Sequence, residues 1–255
     1  MLALLGYLGS GAGSLWTSDR AGGRAIVWLG WGAVALHLSG LIVWGLRIDA
    51  LPLTGSGDSF ASLALLVGAG SLYARRLPRM ELLEGVLKPV AAVLLALGLV
   101  LPTETAASDV EGLWLVVHIG GMVLGVAGLA LSFGASVVWL RVRARLKSKR
   151  LAGLSRLPSL DQLDRLNTRF TLLGFAALTV GISAGGVWAH FDGFPSLDPT
   201  IVITLLLWAW YAVAIQLRVV SGWRGRLAAV FSVVGFAVML LCYVLIQITY
   251  QGWHA

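Results

Sequence analysis

What constrains this chain most is a succession of apolar runs, several approaching the ~20 residues a helix needs to cross a bilayer core. Eight candidate spans can be drawn, roughly 2–17, 25–46, 60–74, 83–102, 112–140, 169–190, 200–217 and 228–249. Of the 255 residues 58% are hydrophobic and 12% charged, whereas soluble domains run nearer half and a quarter. The mean hydropathy of +0.87 agrees. One compact water-soluble core is excluded, and so is a β-barrel, whose strands would alternate apolar and polar residues. The expected fold is an all-α polytopic integral membrane bundle of about eight transmembrane helices, a single domain over 1–255.

Charge gives this layout a direction. The net charge is +7. If residues 18–24 face the cytoplasm, then 17 of the 19 Lys and Arg fall in cytoplasmic loops, among them Arg75, Arg76 and Arg79, the block from Arg141 to Arg169, and Arg218, Arg224 and Arg226. Arg47 lies in an outer loop and Lys88 inside the fourth span. The opposite loops hold acids such as Asp49, Asp58, Glu104, Asp109, Glu111, Asp192 and Asp198. Basic loops mark the cytoplasmic face of a membrane protein, so both termini are expected outside, in a bacterial-type plasma membrane. The basic excess is read as this bias, with no nucleic-acid partner. No basic n-region follows Met1, so no cleaved signal peptide is expected.

Two local patterns stand out. Residues 141–169 form a basic segment in which Ser159 and Gln162 have capping-box spacing and open a short helix carrying Leu160, Leu163 and Leu166 near one face. The expectation is an interfacial amphipathic helix held by anionic lipids, with docking to a cytosolic partner as the alternative. Gly121 and Gly125 in the fifth span, and Gly181 and Gly185 in the sixth, have GxxxG spacing, which reads as close helix packing or, alternatively, as an approach to a flat ligand.

Soluble catalytic signatures are missing: the chain has no GxSxG, HExxH, GxxxxGK[ST] or CxxCH. The lone Cys242 allows no internal disulfide. The histidines remain. His118, His190 and His254 fall at the outer end of different spans, and His37 lies mid-membrane. Imidazole is a common haem-iron ligand, and histidine within a bilayer is usually functional. The plain alternatives are an aromatic belt with Trp114, Trp188 and Trp253 for the outer three and an interhelix hydrogen bond for His37. In either case His37 is expected to face the bundle interior.

The stretches WLVVHIGGMVLGVAGLALSFGASVVWLRVRARLKSK, LPSLDQLDRLNTRFTLLGFAALTVGISAGGVWAHFDG and LLCYVLIQITYQGWHA resemble the cytochrome c assembly family of haem-handling membrane proteins. The likeness is stronger over 112–255 than before it. It is nearer the smaller HemX-like branch, with VALHLSGLIVWGLR and KPVAAVLLALGLVLP resembling that branch's front half, than the longer CcsA-type subunits. The resemblance implies non-covalent, b-type haem held by two outer histidines, which fall here at His118 and His254 as axial iron ligands. His190 and His37 are further cofactor-binding candidates. It also implies a membrane partner in cytochrome c maturation. The chain departs from the family in two places. The tryptophan-rich loop, approximately WGxxWxWDPKE in the family, reads FDGFPSLDPT and keeps only Asp198 and Pro199. Gln216 stands where larger members often carry a histidine. Three functions follow as alternatives: haem handling for cytochrome c assembly without a catalytic domain of its own, a HemX-like regulator of tetrapyrrole biosynthesis, or a structural subunit of another transport system.

Overall fold

The computed structural model describes residues 1–16, 20–49, 51–53, 55–101, 113–149, 157–192 and 199–249, with the side chains of 15, 16, 20–23, 188, 189, 191, 192 and 247–249 outside the described set. Eight α-helices make up the regular structure of these residues: α1 (Leu2–Trp16), α2 (Arg20–Ile48), α3 (Ser56–Arg75), α4 (Glu81–Val100), α5 (Leu113–Lys147), α6 (Leu160–Asp192), α7 (Pro199–Val220) and α8 (Arg226–Thr249). One helix stands at each expected span. Six of them, α2 and α4 to α8, contain stretches long and apolar enough to cross a membrane. The architecture is that of a polytopic, multi-pass helical membrane protein. At 15 residues, α1 reaches only about 22 Å of the ~30 Å core. The 20 residues of α3 are diluted by serines, Asp58 and Arg75.

The helices form two groups. In the first, α1 packs on α2 and α4, and α3 packs on α4; in the second, α5 packs on α6 and α8, and α7 on α8. The groups meet where α3 and α4 lean on α5. There Leu83 and Leu87 fill the space beside Gly134, and Leu131 sits over Gly70. The core combines Tyr7, Leu63, Leu87, Leu94, Leu129, Leu163, Leu178, Tyr211 and Phe236, all of them buried. By contrast α7 presents Leu205, Leu206 and Val213 outward. A bilayer solvates such a surface, so exposed leucine carries no penalty there.

Two expectations change. Residues 160–169 are not a separate helix but the opening turns of α6. Ser159 Oγ accepts from the Gln162 backbone N–H at 3.1 Å, the cap its sequence predicts. No proline or glycine interrupts residues 160–173, so the backbone ladder continues into the span. The leucine face is also used differently, because Leu163 and Leu166 are buried in the bundle core and do not lie against lipid. The helix keeps its polar side for solvent, where Arg165 pairs with Asp161.

Candidate functional site

The α5–α6 seam sets the site. Its glycines bring the two backbones into contact. A Cβ on Gly121 would lie 2.7 Å from the Gly181 backbone, and one on Gly128 would lie 2.7 Å from Gly174. Gly125 meets the backbone of Leu178 in the same way. This is the packing reading of the GxxxG spacing. The seam is filled by the helices themselves and leaves no slot for a flat ligand at these levels.

His118 stands on α5 at one end of that seam. Its Nδ1 lies 2.8 Å from the Gly181 carbonyl oxygen. A carbonyl only accepts, so Nδ1 carries the ring proton and Nε2 is the nitrogen with the lone pair. The ring also occupies the space a side chain at residue 185 would need, since a Cβ on Gly185 would come within 2.7 Å of His118 Cε1. Two α6 glycines therefore seat and orient one α5 histidine. Metal-ligating histidines are commonly held in this way, with the non-ligating ring N–H donated to a backbone carbonyl.

The other histidines differ. His37 is buried, as its mid-span position led us to expect. Its Nδ1 is 3.1 Å from Tyr7 Oη, the two rings meet edge-on at 5.8 Å, and its Nε2 is buried without a hydrogen-bond partner among the described residues. His190 is exposed in the last turn of α6. It lies nine residues beyond Gly181, about 13 Å farther along the helix. His254 and the loop 193–198 lie outside the described residues, so His118 is the axial candidate whose surroundings are seen. His118 and His37 both fit an iron ligand: one has its tautomer fixed by a carbonyl, and the other has an orphaned buried nitrogen.

Three polar constellations escaped the sequence reading. Glu84 pairs with both Lys88 and Arg75 inside the first group. Asp58 Oδ1 accepts from Trp44 Nε1 at 3.0 Å, joining α3 to α2. In the second group Asp164 accepts from Arg218 Nη2 at 2.6 Å and from the Gly225 backbone N–H at 3.1 Å. Asn167 accepts from Arg218 Nη1 at 2.8 Å and donates to Ser232 Oγ at 2.9 Å and Ser132 Oγ at 3.1 Å. That network ties α5, α6, α7 and α8 together at one level. Lys88 was visible in the sequence as a charge inside a span. The acids and Asn167 carry no periodic signal, and only the packing reveals them.

Fold and site together describe a multi-pass helical membrane protein with an oriented histidine near one end of a tight helix pair. Residues 56–254 match the family model described as Cytochrome C assembly protein, and the chain belongs to that family. Similar proteins include the cytochrome c biogenesis protein CcsA of Gloeothece citriformis, 27% identical with 87% of each chain covered. The CcsA of Prochlorococcus marinus is 26% identical over 80% of this chain and 75% of its own length. That of Chlamydomonas reinhardtii is 31% identical over 56% of this chain and 40% of its own.

Proposed function

We propose that this protein serves cytochrome c biogenesis by holding haem at the outer face of a bacterial plasma membrane, with His118 and His254 as its axial ligands. The observation that carries the reading is the Nδ1 contact of His118 with the Gly181 carbonyl, which leaves Nε2 as the ligating nitrogen. Haem, when bound, would supply an iron that accepts imidazole nitrogens, and His118 and His254 would hold it. The chain's own work is to orient and retain. Gly181 fixes the tautomer of His118, Gly185 clears room for its ring, and the α5–α6 seam holds both in register. His190, exposed near the same end, is a secondary contact, and the orphaned Nε2 of His37 is a further candidate inside the bundle. The chain has no CxxCH for thioether attachment, and the family resemblance supports a non-covalent, b-type haem. A membrane partner in cytochrome c maturation receives it, and the basic loops sit against anionic lipids on the cytoplasmic side.

One sequence feature favours a second reading, a HemX-like regulator of tetrapyrrole biosynthesis. The loop FDGFPSLDPT lacks the family's tryptophans. The absorption spectrum of protein purified from haem-supplied cells tests the first reading. A Soret band that survives detergent exchange supports haem holding. A colourless protein at full yield refutes it and leaves the regulator or the structural subunit of another transport system.

A further inference from the structure

A groove of about 200 Å³ opens between α2 and α3, lined by Trp31, Val34, Ala69, Leu72, Tyr73 and Arg76. It lies near the arginine-bearing end of α3. Trp31 is 43% and Tyr73 61% exposed, so the groove opens sideways from the bundle. The Arg76 guanidinium sits 5.8 Å from the Trp31 ring centroid. It has no carboxylate partner among the described residues.

A second cation lies behind the floor. A Cβ on Gly30 would overlap the Lys88 ammonium and come within 3.3 Å of Leu72 Cδ2, so the bare glycine lets the α4 ammonium approach the groove wall. Lys88 and Glu84 are fully buried, and Glu84 is shared with Arg75. With Lys88 and Arg75 both paired to it, the Glu84 carboxylate behind the groove wall is compensated and does not repel an anion.

We propose that this groove binds an anionic phospholipid, with its phosphate on Arg76 and one acyl chain along Val34, Ala69 and Leu72. Guanidinium suits phosphate geometry, and basic pockets between membrane helices on the cytoplasmic side take anionic headgroups. The apolar floor separates a lipid from free phosphate, which would gain nothing from it. The proposal stands apart from the haem reading.

Native mass spectrometry of the full chain in detergent, loaded with phosphatidylglycerol or phosphatidylcholine, tests it. The wild type should retain one phosphatidylglycerol about fivefold more than phosphatidylcholine. Arg76 is exposed, so Arg76→Gln should fold and lose that preference. Ala69→Phe fills the groove without touching the charge and should lower retention of both lipids. Arg143→Gln removes a comparable cation, 5.4 Å from the Trp139 ring, and should behave as wild type. Excess glycerol phosphate should not displace the lipid. Equal phosphatidylglycerol retention by wild type and Arg76→Gln overturns the proposal. So does full displacement by glycerol phosphate, which would mark a site for free phosphate.

Discussion

The orientation of His118 depends on what α6 lacks as much as on what it offers. Gly181 presents a carbonyl to Nδ1, and Gly185 has no side chain to push the ring away. A methyl at 185 would overlap the imidazole and move it. Gly185→Ala is therefore expected to leave the fold intact, since the ring is the part that yields, and to weaken haem retention. A haem titration followed at the Soret band reads this out. Unchanged affinity would mean that the seat does not matter. The sequence shows His118 and the glycine spacing, but not their meeting, because residues 118 and 181 are joined only by packing. His37 was legible as interior, while its bond to Tyr7 was not. Tyr7 is a single polar residue in a short apolar run, with nothing in its spacing to mark it.

At the scale of elements, the GxxxG spacing serves helix packing at Gly121, Gly125 and Gly181, while Gly185 makes room for the His118 ring, and the structure gives the packing a cost. Gly121→Leu would drive a side chain into backbone 2.7 Å away. It should destabilise the bundle by about 1–3 kcal/mol, the usual range for overpacking. A lowered melting midpoint with loss of the Soret band would show it; an unchanged midpoint would show that α5 and α6 separate freely. The clamp across the second group makes a parallel case. The side chains of Asp164 and Arg218 are 17% and 14% exposed. Asp164→Ala strands the cation and frees the Gly225 N–H, and a loss of about 3 kcal/mol is expected for breaking a largely buried pair. Thermal unfolding in detergent measures it, and Arg218→Met in the same background should recover part of the loss, because it removes the stranded charge. Span positions were legible because apolar length is a direct physical requirement of a bilayer. Helix ends were less so: α5 runs on to Lys147 and α6 starts at Leu160, because basic and amphipathic residues sustain a helix beyond the hydrocarbon.

For the whole molecule, the proposed layout has eight spans with the basic loops on the cytoplasmic side, which puts both termini outside. A single cysteine at residue 147, in a Cys242→Ser background, should resist a membrane-impermeant maleimide added from outside and react after the membrane is opened. Labelling from outside would invert the layout and put His118 on the cytoplasmic side. The central claim is that the oriented His118 is one of two axial haem ligands at the outer face, and the spectrum of His118→Ala beside wild type tests it most directly. The wild type should be low-spin and six-coordinate. The variant should shift toward high spin or lose haem, and added imidazole should restore the low-spin form. A low-spin spectrum in His118→Ala identical to that of the wild type would contradict the account.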